Sequence, residues 1–335
     1  MSTSGVGDRL DHETAGQLIL SLHALLSATP DEPEAALAEL GWAEVRAADP
    51  VTATRLLFTE HGRVLARSRL LDDVLLAELA AVLPPASGRR ALLYPHPGDG
   101  SALRSTDVIL PRAVLLAPLR QIDEVVLPAT TGHGFTPLVV AADEVARAAV
   151  PVEGFDRGSR WLLVRDFPLP PEPDAARPGT VWADAVAAGR RALAAELIGI
   201  SDTALALAVA HTTDREQYGR PIGSFQAVRH RLAESYVAIE AARSTLGAAE
   251  ADRTSWSAAL AKRAAGQAQA VTLRAVVQVF GAMGLTAEGP VHRYVTRAAA
   301  LDALLGGHRS LTDELGTALL AGADLDPVVA VEADQ

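Results

Sequence analysis

"DREQYGRPIGSFQAVRHRLAES", residues 214–235, places a tight polar knot directly before an amphipathic helix. Within the continuation "SFQAVRHRLAESYVAIEAARSTL", Phe225, Val228, Leu232, Tyr236 and Ile239 fall on one helical face. Arg229, Arg231, Glu234 and Glu240 lie largely off that face, so the spacing predicts a long helix with one apolar seam. Alanine dominates the chain from about residue 182 onward. Small side chains allow close helix-to-helix approach, which predicts a C-terminal bundle.

Working outward from the bundle, two further regions differ in pattern. "LDHETAGQLILSLHALLSA" sets Leu10, Ala15, Leu18, Ile19, Leu22 and Leu26 at helical spacing. "EPEAALAELGWAEV" continues the pattern with Gly41 as a helix stop, and "LLDDVLLAELAAVL" predicts another helix, ended by Pro84 and Pro85. The stretch PPASGRR then reads as a linker. Beyond it come "RALLYP", "DVILPRAVLLAP", "EVVLPAT", "TPLVVAA" and "RWLLVRDF". Short β-branched and aromatic runs bounded by Pro, Gly or Asp predict a β module of roughly six strands. FPLPPEPDAARPG, residues 167–179, is too proline-rich for regular structure and marks a second boundary. The expected organisation is an N-terminal α-helical domain over 1–88 and a middle β domain over 89–170. A linker over 171–181 and a four-helix-bundle domain over 182–335 complete it.

Composition excludes several classes of function. Of the 335 residues 49% are hydrophobic and 21% charged, as in globular proteins. A formal net charge of −11 argues against a phosphate-tracking surface, so no nucleic-acid partner is expected. The chain has no cysteine, which removes disulfides, thiolate metal sites and a cysteine nucleophile. Lys262 is the lone lysine. The start, MSTSGVGDRLDHETAG, has no apolar core, and no run of about 18 uninterrupted apolar residues occurs, so neither a secretory signal nor a membrane span is expected. The expected location is the cytoplasm.

Spacing alone reveals little chemistry. The nine histidines are scattered without an HExxH or HxxxH pair, and no metal site is expected. "GVGDRL" lacks the third glycine and the preceding strand of a dinucleotide loop. "GISDT" lacks the closing glycine of a nucleophile elbow, and Ser201 and Asp202 read as capping or helix-interior polar residues.

The knot and its helix resemble the RxQFGxPIxxFQxxxHxLAxM segment of the acyl-CoA dehydrogenase family. "QVFGAMGLTAEGPVHRYVTRA", residues 278–298, is similar to that family's QxxGGxGxxxEyPxxRxxRDA segment. The likeness is firm over about 185–305 and faint before it, where "ALAELGWAEV" looks like an early helical motif and "HPGDGS" (96–101) like a decayed TEPxxGSD loop. The resemblance implies an α+β multidomain fold: an N-terminal α-helical domain, a middle β-barrel-like domain and a C-terminal helical bundle. It also implies FAD shared across a subunit interface, with the bundle of one subunit clamping the nucleotide seated mainly in its neighbour. On the matching positions, Arg215 would pair with the pyrophosphate, a task suited to a planar guanidinium. Gln217, Tyr218, Phe225 and Gln226 would line the adenosine pocket. Gln278, Val279, Gly281 and Ala282 would bring backbone close to phosphates and ribose, although the chain reads GAMG where the family prefers GGxG.

The family's reaction needs a buried carboxylate to take the proton beside the thioester carbonyl. The two positions from which the family supplies it fall on Leu305 and Gly189, and neither is a carboxylate. The WITN strand becomes "RAVLLAPLRQ", and the TEP residues are replaced around Tyr94, Pro95 and His96. The resemblance therefore points to a base-less subunit of a heteromeric, often α2β2, dehydrogenase acting on bulky acyl-CoA thioesters. Its partner would be an acyl-CoA dehydrogenase subunit bearing the catalytic Glu. Two other readings stay open: a self-sufficient flavoenzyme with its base moved to Asp302, His308 or Glu196, and a non-enzymatic scaffold. Each of those three residues reads more simply as a surface or capping residue.

Overall fold

The computed structural model describes residues 10–97, 99, 103–104, 109–131, 134–152, 154, 156, 158–169, 179–287 and 289–323. The glycine-rich start "GVGDRL" up to Arg9, Gly98, Gly100 and Ser101 of "HPGDGS", and the core of the proline-rich boundary at 170–178 lie outside the described residues.

Five helices come first: α1 (His12–Ala28), α2 (Glu34–Glu39), α3 (Trp42–Ala48), α4 (Pro50–Val64) and α5 (Leu70–Leu79). Side chains cap two of them, Asp11 accepting from Thr14 N–H at 2.7 Å and Asp49 from Thr52 N–H at 3.0 Å. Gly41 takes φ +77° between α2 and α3, the left-handed stop that the sequence signals. By contrast, α5 ends at Leu79, ahead of Pro84. The N–H groups of Val82 and Leu83 both turn back to the Leu79 carbonyl, so local turn hydrogen bonds end the helix before the prolines can.

The middle region holds β1 (Arg90–Leu92), β2 (Tyr94–Pro95), β3 (Leu103–Arg104), β4 (Ile109–Leu115), β5 (Glu124–Thr131), β6 (Gly134–Ala141), β7 (Ala149–Pro151) and β8 (Leu162–Pro168), with helix α6 (Ala142–Ala148) inserted before β7. They form two sheets. In one, β5 pairs in parallel with β1 and β3 and antiparallel with β6; the other runs β2-β4-β8-β7, antiparallel throughout. Strand alternation divides the buried side chains between two cores. Ala91, Leu93, Val125 and Leu127 fill the core of the β region, whereas Leu92, Tyr94 and Val126 join the core shared with the helices.

The last region is helical: α7 (Thr180–Asp214), the hairpin β9 (Glu216–Gln217) and β10 (Arg220–Pro221), α8 (Gln226–Asp252), α9 (Ser255–Phe280), α10 (His292–Ala303) and α11 (His308–Leu320). Helix α7 is the hub. Two stretches, Thr180–Asp214 and Ser255–Leu285, are long and apolar enough to cross a membrane by length and composition; 72% of the apolar window in the first is buried within the protein. Glycine lets α7 meet α4 almost backbone to backbone. A Cβ on Gly62 would stand 2.1 Å from the Glu196 carbonyl oxygen, and one on Gly199 2.0 Å from that of Thr59. Ion pairs stitch the same neighbourhood: Glu60 to His23 at 2.9 Å, and Asp202 to Arg63 at 3.1 Å and Arg243 at 3.0 Å. Ser201, fully buried, donates to the Leu197 carbonyl at 2.7 Å, so Ser201 and Asp202 of "GISDT" are both helix-interior and neither caps.

One face of α8 departs from the expected seam. Ser235, Ile239, Ala242, Leu246 and Ala249 are buried, and Tyr236 is 59% exposed beside Val237 at 65%. The buried positions alternate steps of four and three, so the seam passes through Ser235 and turns Tyr236 about 100° away from it.

Candidate functional site: an exposed grip and a closed turn

The knot closes the end of α7. Arg215 leaves the helix with extended backbone, its N–H bonded to the His211 carbonyl at 2.9 Å, and the Ile222 N–H returns to the Arg215 carbonyl at 2.8 Å. Between them β9 and β10 pair Gln217 with Arg220 around Tyr218 (φ +55°) and Gly219 (φ +78°). Both residues are left-handed, as a tight hairpin of this type demands. Glycine adopts that geometry freely, whereas Tyr218 holds it at a cost of about 1–2 kcal/mol. Tyr218 is 94% exposed, so no core packing offsets the strain and it is not an ordinary core aromatic. Its ring stands edge-on to Phe225 at 6.3 Å, and Arg220 lies over the Phe225 ring at 4.2 Å. Phe225 is half-buried at the N-cap of α8 and Gln226, the first helical residue, is exposed. The Gln217 side chain donates to its neighbour's carbonyl, that of Glu216, at 2.7 Å. Among the described residues the exposed Arg215 guanidinium makes no hydrogen bond or ion pair.

The second segment ends α9. Gln278 is exposed and Val279 half-buried; Gly281, at φ +60°, stops the helix and starts a 3-10 turn through Leu285. A Cβ on Gly281 would meet nothing within 4 Å, so open space lies over this backbone. Ala282 is exposed and not left-handed, so the methyl that breaks the GGxG pattern causes no backbone strain. Gly284 does need its size, since a Cβ there would stand 2.7 Å from the Val277 carbonyl oxygen. The two segments share one end of the bundle: the His211 ring stacks on Phe280 with centroids 4.2 Å apart and planes at 13°.

The two positions expected for a base also come together. A Cβ on Gly189 would lie 2.8 Å from Leu305 Cδ1 and 2.8 Å from Leu75 Cδ1. Leu75 is fully buried and Leu305 1% exposed. The turn carrying Leu305 is left-handed at Leu305 (φ +55°) and Gly306 (φ +99°). Two buried cations hold it: Lys262 Nζ donates to the carbonyls of Asp302 at 2.8 Å and Gly306 at 3.4 Å, and Arg190 Nε to that of Leu305 at 3.0 Å. Burial pushes Lys262 down to about 8 and lowers Arg190 from its usual range.

The alternative base candidates are already engaged. Asp302, 9% exposed, accepts from the His308 backbone N–H at 3.2 Å and pairs with its Nδ1 at 2.7 Å, capping α11. Glu196 is not at the surface: it is 3% exposed and pairs with His61 Nδ1 at 2.9 Å, while Ser68 Oγ lies 2.9 Å from His61 Nε2. In the β region Tyr94 is fully buried and donates its hydroxyl to Asp72 at 2.8 Å. Burial pushes the Asp72 carboxyl up to about 7, against the hydrogen bond from Tyr94, which lowers it.

Sequence reasoning missed Asp72, Arg190, His211, Arg220 and the reach of Lys262. Lys262 and Asp72 carried a weak signal, a lone lysine in an alanine run and an acidic pair inside an apolar helix. Arg190 and His211 pair only through the fold, whereas Arg220 and Phe225 meet within the knot itself.

The family model for the acyl-CoA dehydrogenase C-terminal domain matches residues 180–319. Acyl-CoA dehydrogenase IpdE2 of Mycobacterium tuberculosis is 33% identical over 279 residues, 83% of this chain and 79% of that protein. Solved structures that share the fold include a Tcur3481-Tcur3483 steroid ACAD variant (TM-score 0.71, 23% identity, 92% of this chain and 99% of that one) and the ChsE4-ChsE5 complex from Mycobacterium tuberculosis (TM-score 0.69, 23% identity, 94% and 99%). An α-helical region, a two-sheet β region and a helical bundle in this order define an acyl-CoA dehydrogenase fold. The chain belongs to the acyl-CoA dehydrogenase family.

Proposed function

We propose that this chain is a cytoplasmic subunit of a heteromeric FAD-dependent acyl-CoA dehydrogenase, assembled as α2β2 with a relative that carries the catalytic Glu. It supplies half of an FAD site to that partner and has no carboxylate base of its own. One contrast carries the reading: the end of the bundle that carries the family's nucleotide motif is exposed, and its Arg215 guanidinium has no partner among the described residues, whereas the turn at the base position is packed shut by Leu75 and Leu305. The similarity to IpdE2, and in fold to a complex named for two chains, supports it.

The residues present fit the cofactor, because a guanidinium with no partner among the described residues, the exposed Tyr218 ring and open space over Gly281 match a nucleotide diphosphate in donor chemistry. When bound, FAD supplies the hydride acceptor for α,β-dehydrogenation of an acyl-CoA thioester. Arg215 binds the pyrophosphate through its planar donors. Gln217, Tyr218, Phe225 and Gln226 line the adenosine. Gln278, Val279, Gly281 and Ala282 offer backbone to phosphate and ribose.

Expression of the chain alone and with a Glu-bearing relative tests this. The expected result is poor flavin retention alone, and bound flavin with acyl-CoA-dependent bleaching in the mixed complex. Bleaching by the lone chain would establish a self-sufficient enzyme instead; no flavin even in the mixed complex would leave a scaffold.

A further inference from the structure

We infer that His211 is the positioning residue that makes the two exposed segments one nucleotide site; the inference rests on the function proposed above and adds a residue to it. Three contacts converge on the last turn of α7. The His211 carbonyl accepts the Arg215 N–H at 2.9 Å and so fixes where the guanidinium-bearing backbone leaves the helix. The His211 ring stacks on Phe280, the residue immediately before Gly281 and Ala282. A Cβ on Gly223 would stand 3.0 Å from the carbonyl oxygen of Thr212, the next residue, so the far arm of the knot rests on the same turn.

Arg215 and Gly281 sit on different helices, and a ligand that spans both needs their spacing set to a fraction of an ångström. Exposed residues cannot set it, since Arg215, Gln217, Gln278, Gly281 and Ala282 all face solvent. A flat ring held at 4.2 Å against Phe280 can, because a near-parallel stack fixes both distance and tilt. His211 itself touches no nucleotide in this scheme; it acts through Arg215 and Phe280.

Four variants in the mixed complex test it, each stripped of flavin and titrated with FAD by flavin fluorescence. His211→Ala and the size-matched His211→Leu are expected to weaken FAD about tenfold or more, and His211→Phe, which keeps a stacking ring, to stay within about threefold of the parent. In the lone chain, amide hydrogen exchange over 281–285 should rise in His211→Leu and not in His211→Phe. Unchanged affinity in both ringless variants overturns the inference. An equal loss in His211→Phe overturns it too, since the ring would then not be what matters. Arg215→Ala is the control: if it leaves FAD affinity intact, the underlying function fails rather than the role of His211.

Discussion

Lys262 Nζ lies 2.8 Å from the carbonyl oxygen of Asp302 and 3.8 Å from its carboxylate, inside a protein core that leaves the lysine no exposure. The lone lysine of the chain is thus an internal tie between α9 and the turn that carries Leu305. Lys262→Met should cost about 1–3 kcal/mol by leaving buried carbonyls without a donor. Its pH signature identifies the cause. A lysine whose folded value is about 8, below the ordinary lysine value of 10.5, adds stability as pH rises from 8 to 10.5, because there the unfolded chain binds more protons. Urea titrations at pH 7.5 and 10 should show that gain in the parent and its loss in the variant.

Asp72 predicts the opposite slope. Its folded carboxyl, raised to about 7 by burial, binds protons more tightly than the unfolded one near 3.8. The stability it contributes is full below the unfolded value and is lost as pH climbs through 7. Asp72→Asn keeps an acceptor for the Tyr94 hydroxyl, so it should flatten this dependence and stabilise the protein above pH 7 relative to the parent. Melting temperatures at pH 5 and 8 would settle it; a parallel shift at both would refute the assignment.

Glycine substitutions should separate two kinds of crowding. Gly199→Ala drives a methyl into the Thr59 backbone carbonyl, which cannot yield, whereas Gly189→Ala meets the ends of Leu75 and Leu305 side chains, which can. The cost of Gly189→Ala should be about 1–3 kcal/mol, in the range of overpacking, and Gly199→Ala should cost more. Leu305→Ala should relieve Gly189→Ala and do nothing for Gly199→Ala, a coupling that a double-mutant cycle measures.

At the exposed end, stability and binding should come apart. Arg215→Ala removes a side chain that has no partner among the described residues, so unfolding free energy should stay within about 0.5 kcal/mol of the parent. Tyr218→Gly should stabilise the lone chain slightly by removing left-handed strain. Both should lower FAD retention in the mixed complex. A large loss of stability in either would mean that these residues serve the fold.

Local pattern made much of this legible. The apolar spacing of α1, the existence of α8, the left-handed stop at Gly41 and the short strands of the β region follow from residues close in sequence. Motif counting marked Gly189 and Leu305 as two separate positions; that they pack against each other is visible only in the fold. Tyr236 was misplaced because a five-residue apolar list cannot fix a seam to one helical position. Helix α6 went unseen because "AADEVARA" is short and carries no stop signal. The Asp72–Tyr94, Lys262–Asp302 and His211–Phe280 pairs left no trace in spacing, since each joins elements that only tertiary folding brings together.

The glycine-on-carbonyl crossing of α4 and α7 has a mechanical consequence. Close-packed interiors compress little and pass displacement along, and at Gly62 and Gly199 no side chain of either glycine separates the two backbones. A displacement of α7 at this crossing therefore reaches α4 directly, through backbone rather than through side chains that could repack.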